Sequence, residues 1–334
     1  MNAVWDVVGH EWAVTLFQRQ IAAGDVSHAY LLCGPDGIGK EHMAITLAAA
    51  LACTGEEPPC GECSNCRRVR ANEHPDLRVV RGSNGTISID EVRDLRRFLT
   101  LSPYQASRRI ALLIGFDGAT TEASNALLKS LEEPPARSVL ILTAESLQAL
   151  LPTILSRCQV FRLRRLPRAA IEEALRAQHQ LPVDRAATLA RLADGNLAWA
   201  VSAGRDESVT QRLEQDVSLA IDLCRHGRAY RLSQAEELSK RDDLPQLLDT
   251  WSGWWRDVLL MAAGQGEMVA HQAQHEALQG LASVYGVGQA VEALRSIDDA
   301  LDQIEHHVNP RLALETMLLR WRRQRQSTVK QEGS

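Results

Sequence analysis

Residues 31–40 read LLCGPDGIGK, and they constrain the fold more than any other stretch of the chain. The six residues from His28 to Cys33 form a short apolar run, the pattern of a buried strand. The run breaks at Gly34, and from Lys40 the segment KEHMAITLAAALA favours helix. A strand that turns through glycines straight into a helix is the geometry of a phosphate cradle. Gly34, Gly39 and Lys40 fit G-x-x-x-x-G-K, and with Gly37 they make up the candidate phosphate loop, whose backbone N–H groups and lysine would hold a phosphate. One position departs from the pattern. Glu41 stands where a Ser or Thr hydroxyl would meet Mg²⁺.

The pattern continues on both sides. Residues 1–27 read as one amphipathic helix with a lead-in, Trp12, Leu16, Phe17 and Ile21 lying at near-helical spacing and Gly24-Asp25 as the stop. Further strands are predicted at 77–80, 110–114, 139–143 and 160–163. The helices between them run from about Ile89 to Leu101 and from about Thr121 to Glu133, with a short one leading to Ser156-Arg157-Cys158. Residues 82–85 read as a turn, and Ser88-Ile-Asp-Glu91 is a capping-box signature for the helix after it. Strands alternating with helices imply a parallel α/β sheet with both faces covered. Composition changes at Arg164-Arg165-Leu166-Pro167, and no convincing strand follows. Residues 168–203 read as a small helical unit ending in Asp194-Gly195-Asn196, and longer amphipathic helices begin near 208. Trp251, Trp254, Trp255, Val258 and Leu259 keep the i, i+3, i+4, i+7, i+8 spacing of a packing face, with a base-stacking platform as the alternative. Arg322, Arg323, Arg325 and Lys330 belong to a basic tail. The expected domains are 1–165, 166–207 and 208–334.

With 334 residues the chain is long enough for two or three domains. A net charge of −5 argues against a protein that coats nucleic acid on its own. No apolar run approaches the roughly 20 residues that a membrane helix needs, and Asp6, His10 and Glu11 interrupt any leader-like start. A cytoplasmic location is expected, with no membrane partner. In that reducing setting clustered thiols bind metal more often than they pair.

Four of the seven cysteines, Cys53, Cys60, Cys63 and Cys66, are spaced C-x₆-C-x₂-C-x₂-C within a Gly/Pro-rich insertion at 53–66. Four thiolates complete a closed tetrahedral Zn²⁺ shell with no open position for catalysis, so a structural zinc is predicted. Free surface thiols and a redox switch are the alternatives. Cys33, Cys158 and Cys224 read as ordinary small buried residues.

Taken together and in order, residues 28–40, the four-cysteine insertion, residues 125–135 (NALLKSLEEPP) and residues 155–158 (LSRC) closely resemble the clamp-loader ATPase family of AAA+ proteins. Residues 309–315 (NPRLALE) are similar to the last collar helix of that family. The resemblance implies a RecA-like AAA+ domain with a parallel sheet and zinc-binding insertion, then a helical lid, then an all-α collar that joins five subunits into a ring. The implied partners are ATPase subunits of the gamma/tau type, a delta-type clamp-opening subunit, the sliding clamp and primer–template DNA.

Departures from the family pattern bear on mechanism. An active member carries an Asp-Glu pair after the third strand to hold Mg²⁺ and polarise the attacking water; Ile114 and Gly115 occupy those places. Asp117 lies too far along to replace them readily. The lid arginine of Gly-Ser-x-Arg is replaced in Gly195-Asn-Leu-Ala198 by alanine. With Glu41, which adjoins and would repel a phosphate, four functional groups are missing. No Mg²⁺ site and no intrinsic hydrolysis are expected, while the loop backbone and Lys40 would permit at most weak ATP binding. The resemblance gives Arg157, in Ser-Arg-Cys, the role of an arginine finger acting in trans on the neighbouring ATPase. Spacing alone favours a surface or salt-bridging arginine, and the resemblance reverses that preference. Residues 125–135 are expected at an inter-subunit face, and Arg67, Arg68 and Arg70 either approach DNA or are merely solvated. The expected function is that of a non-hydrolysing stator. The rivals are an active ATPase of the same complex and a stand-alone zinc-dependent DNA-binding protein.

Overall fold

The computed structural model describes residues 5–82, 85–306 and 308–322. The turn predicted at 82–85 falls partly outside these residues, as do the tail cations beyond Arg322. The chain divides into two compact units, Met1–Val201 and Ser202–Ser334.

The first unit is built on five parallel strands in the order β2-β3-β4-β1-β5. They are β1 (Ala29–Cys33), β2 (Leu77–Val80), β3 (Arg109–Leu113), β4 (Ser138–Ala144) and β5 (Gln159–Arg162). β1, β3 and β4 are buried at every position, as continuous apolar runs in a sheet covered on both faces must be. This is the RecA-like AAA+ arrangement that the sequence implied.

One face is covered by α1 (Glu11–Ala23), α2 (Lys40–Ala52) and α3 (Ser64–Arg70), with Phe17, Tyr30, Leu47, Ile110 and Phe161 in its core. The other is covered by α4 (Ile89–Thr100), α5 (Thr121–Glu132) and α6 (Pro152–Leu155), around Leu31, Val92, Leu113, Phe116 and Leu127. α1 ends at the predicted Gly24-Asp25 stop, where Gly24 at φ 70° donates to Ile21 O and Asp25 N to Gln20 O, and it begins only at Glu11. Trp12, counted on the apolar face, is half exposed and stacks on Phe161 at 5.7 Å. The capping box of α4 forms as read: Ser88 accepts from Glu91 N and Glu91 accepts from Ser88 N.

Asp76 is fully buried beside β2. It accepts from the backbone N–H groups of Tyr104, Gln105 and Ala106 at 2.6–2.8 Å. Burial pushes its carboxyl up, but these donors and Arg109 outweigh it and hold the group below the usual carboxylate range.

After β5 come α7 (Arg168–Ala177), α8 (Val183–Leu192) and α9 (Leu197–Arg205). The turn at Asp194-Gly195-Asn196 does not end this helical segment, as predicted. It reverses the chain between α8 and α9, with Asp194 and Gly195 both at positive φ. The sequence signal was a genuine turn placed one helix early.

The second unit is all helical among its described residues: α10 (Glu207–Arg225), α11 (Arg228–Leu238), α12 (Leu244–Ala262), α13 (His275–Glu305) and α14 (Pro310–Arg320). Trp251, Trp254, Trp255 and Val258 are fully buried, so the predicted packing face is core and no base platform. Arg231 is buried here without a carboxylate. Its guanidinium donates to the carbonyls of Leu223 and Cys224 at the end of α10, and to those of Leu318, Trp321 and Arg322 at the end of α14. The last-turn carbonyls of two helices are thereby satisfied by one cation. No described helix is long and apolar enough to cross a membrane.

Candidate functional site

The phosphate loop lies at the C-terminal end of β1. Gly34 leaves no room for a side chain, since a Cβ there would stand 2.4 Å from Leu163 O. Gly37 and Gly39 adopt φ of 71° and 94°, the left-handed region that favours glycine. The loop therefore has the backbone its motif requires. Lys40 and the adjoining Glu41, however, are engaged within the chain. Lys40 is buried, and its Nζ donates to Gly34 O at 2.7 Å and Pro35 O at 2.8 Å. Burial pulls the Lys40 ammonium below its ordinary range, while Glu145, Asp36 and Asp117 pull the other way. Glu41, expected to repel a phosphate, is ion-paired with Arg81 at 2.5 Å, and its charge is offset.

The lid lies directly on the loop. Ala198 N donates to Gly37 O at 2.9 Å, and a Cβ on Gly37 would stand 1.9 Å from Asn196 Oδ1. Asn196 Oδ1 in turn accepts from Trp199 N at 2.8 Å, capping α9. At the place of the missing carboxylate pair, Gly115 sits at φ 69° and its N–H donates to Thr143 Oγ1. Asp117 is occupied as well, accepting from Glu145 N at 3.0 Å. The sequence had no signal for these partnerships, because Arg81, Asn196 and Thr143 lie far along the chain from the groups they satisfy.

Arg157 stands at the other end of the sheet. β1 and β5 are parallel, with Tyr30 opposite Gln159 and Cys33 opposite Arg162. The phosphate loop follows the last residue of β1, whereas Arg157 precedes the first residue of β5. About 10 Å of strand separates the two levels. Arg157 NH1 donates to Thr153 O at 2.9 Å and to Ser156 Oγ at 3.2 Å, and NH2 reaches Glu132 Oε1 at 3.0 Å. Glu132, at the end of α5, was not singled out in the sequence. The only hint was its place in the Glu-Glu-Pro-Pro run.

The four cysteines come together. The Sγ atoms of Cys53, Cys60, Cys63 and Cys66 all lie within 4.8 Å of one another, and Cys53 and Cys63 are 4.0 Å apart. Four thiolates around a tetrahedral Zn²⁺ at about 2.3 Å would be about 3.8 Å apart, so the cluster can bind a metal ion of that kind. Backbone N–H groups of Gly55 and Cys60 point at Cys53 Sγ, that of Cys63 at Cys60 Sγ, and that of Cys66 at Cys63 Sγ, at 3.3–3.4 Å. Burial pushes the Cys63 thiol up, but backbone donors from Thr54 and Cys66 outweigh it and bring it down to about 6, on the thiolate side at neutral pH. All seven cysteines are unpaired. The module is anchored by Trp5 Nε1 to Pro58 O and by Asn65 Nδ2 to Ala52 O. Its last segment is α3, where the sequence predicted only a loop. α3 carries Arg67 and Arg70 exposed, with Arg68 bonded to Gln105.

Residues 9–167 match the family model described as DNA polymerase III, delta subunit, and residues 209–323 match the model of its C-terminal part. The subunit delta' of Bacillus subtilis DNA polymerase III is 28% identical over 309 residues, covering 91% of this chain and 93% of that one. The delta' subunit of Pseudomonas aeruginosa is 39% identical over 153 residues, 45% of this chain and 47% of the relative. Subunit tau of Escherichia coli is 36% identical over 204 residues, 59% of this chain but 32% of tau. The chain belongs to the bacterial DNA polymerase III clamp-loader family of AAA+ proteins, as a delta-prime-like subunit.

Proposed function

We propose that this protein is the stator of a DNA polymerase III clamp loader. It lacks intrinsic ATP hydrolysis and donates Arg157 in trans to the neighbouring ATPase subunit while the loader places the sliding clamp on primed DNA. The observation that carries this reading is the opposition of the two ends of one sheet. At one end is a phosphate loop whose Lys40, with the adjoining Glu41, already has partners in the chain. At the other is an arginine too far from that loop to serve it.

Hydrolysis needs a metal ligand, a group that polarises water and a sensor of the phosphate. Ile114, Gly115 and Ala198 supply none of these, and Asn196 packs against the loop at Gly37. An arginine finger needs only a guanidinium presented at a subunit edge, and such groups contribute about 10³–10⁵ in rate in well-studied NTPases. The proposed partners are gamma/tau-type ATPase subunits, a delta-type clamp-opening subunit, the clamp and primer–template DNA.

Cys53, Cys60, Cys63 and Cys66 would hold a structural Zn²⁺. The ion, when bound, neutralises the four thiolates and closes a loop that has little apolar core of its own. The domain limits 1–165, 166–207 and 208–334 belong to the same proposal.

The test is ATP turnover by the purified chain alone and in a loader reconstituted with its ATPase partner. The chain alone should show no turnover above background. Arg157→Ala should leave assembly intact and depress DNA-stimulated turnover of the complex. Robust turnover by the chain alone, abolished by Lys40→Ala, would instead make it an active ATPase.

A further inference from the structure

We infer that Glu132 is the positioning residue for Arg157, a carboxylate whose charge aims the guanidinium at the subunit edge. The inference rests on the trans role proposed for Arg157 and adds the residue that makes the role geometrically defined.

Arg157 follows α6, a helix of four residues, and its side chain is about one-third exposed. A long side chain in that setting samples many rotamers, and holding it in one costs entropy. Three contacts oppose this loss. Thr153 O and Ser156 Oγ, both local, take N–H groups of NH1. Glu132 Oε1, from the end of α5, forms an ion pair with NH2 at 3.0 Å. The local pair alone fixes one corner of the planar fork and leaves it free to swing. A third contact from a different helix stops that rotation.

Of the five N–H donors on a guanidinium, the two on NH1 are used in hydrogen bonds, and those on NH2 and Nε remain. One from each of those nitrogens makes the paired contact that phosphate oxygens accept. Glu132 also belongs to the segment 125–135, whose helix packs on α6. A shift of α5 would therefore be transmitted to the finger as a change in its direction.

A carboxylate beside a finger lowers the field it presents to phosphate, so an opposite role, a restraint on the finger, is the outcome that overturns the proposal. The test uses the reconstituted loader with DNA-stimulated ATP turnover as readout, and four variants of this chain: Glu132→Ala, Glu132→Gln, Arg157→Ala and the double Glu132→Ala/Arg157→Ala. Glu132→Ala is expected to lower kcat about 3- to 10-fold, the scale of one partly exposed charge-assisted contact, with little change in KM for ATP. Glu132→Gln, which keeps the size but removes the charge of the ion pair, should lose as much as Glu132→Ala. A merely structural role, which depends on size rather than charge, would let Glu132→Gln recover. The double variant should match Arg157→Ala alone, since a positioning residue has nothing left to position. Faster turnover in Glu132→Ala, or an unchanged kcat while Arg157→Ala is impaired, would overturn the role given to Glu132. Unchanged turnover in Arg157→Ala would overturn the trans finger itself.

Discussion

The two ends of the sheet are built from the same kind of material and face in different directions. At the C-terminal end of β1, Lys40 and Glu41 are both charged, and each is satisfied within the chain, by the loop's own carbonyls and by Arg81. At the N-terminal end of β5, Arg157 has two hydrogen-bond partners and an ion pair, with the N–H groups of NH2 and Nε to spare. A motif match describes which residues are present. Whether they are available for a ligand depends on what else the fold brings to them, and here the two ends differ in that respect. The loop has kept its backbone shape and turned its lysine back onto its own carbonyls. The arginine has kept an outward-facing remainder.

The sharpest way to break this comparison is to change the chemistry of each cation separately. Arg157→Lys retains the charge but loses the planar fork, so in the reconstituted loader it should lower DNA-stimulated turnover about 10- to 100-fold. Lys40→Ala in the same complex should change turnover less than about 3-fold. Its cost should fall on stability, as the loop carbonyls of Gly34 and Pro35 lose their donor, about 1–3 kcal/mol by thermal or chemical unfolding. A loader as sensitive to Lys40→Ala as to Arg157→Lys would mean that the loop still works on nucleotide.

How far this contrast was legible in the sequence differs between the two ends. The parallel sheet followed from apolar runs of strand length separated by amphipathic helices, and its strands lie within a residue or so of their predicted limits. The capping box at Ser88 and the cysteine spacing are local patterns whose partners are three to seven residues away, so sequence alone suffices for them. The missing carboxylates at Ile114 and Gly115 were legible only through the resemblance to the clamp-loader family. The internal satisfaction of the loop was not. Glu41 and Arg81 are forty residues apart, and Gly37 meets Asn196 across a still longer interval, so no periodicity or spacing relates them. Trp12 shows the same limit on α1. Helical phase put it on the apolar face, but its partner Phe161 sits on edge strand β5 and leaves it half exposed.

The cysteine module tests whether a second feature belongs to either end. It begins at the C-terminal end of α2, whose N-terminal end carries Lys40, and it is tied to the N-terminal segment by Trp5. Protein prepared without chelator is expected to carry one zinc per chain, measured by metal analysis. Stripping it should loosen residues 53–70 in hydrogen exchange and alter Trp5 fluorescence, at a cost of several kcal/mol, order of magnitude only. The sheet should keep its protection. Loss of protection in the loop itself would show that the metal supports the loop's shape along α2.

Gly37→Ala probes how firmly the lid closes on the loop. The substitution places a Cβ at φ 71° and against Asn196, which must move and give up its cap on Trp199 N. Strain and lost cap together should cost about 2–3 kcal/mol of stability, read as a lower unfolding midpoint. If the midpoint is unchanged, the lid contact is loose and the loop is more open than its internal bonds imply.

The smallest effect expected is also the most discriminating about why the loop is silent. Glu41→Thr restores the hydroxyl that the phosphate-loop pattern calls for and removes the ion pair with Arg81. That pair is half exposed on both sides, 48% and 42%, so its loss should cost no more than about 1 kcal/mol. If Glu41 alone silenced the loop, this variant would gain measurable ATP turnover. It should not, because a hydroxyl at position 41 can share in holding Mg²⁺ but cannot polarise water, and Ile114 and Gly115 still offer no carboxylate. Turnover should therefore stay at background, while ATP affinity, followed by the shift in unfolding midpoint on adding nucleotide, rises modestly at most. Affinity without hydrolysis would locate the silence in the third strand. Unchanged affinity would locate it in the closure of Asn196 and Lys40 over the loop.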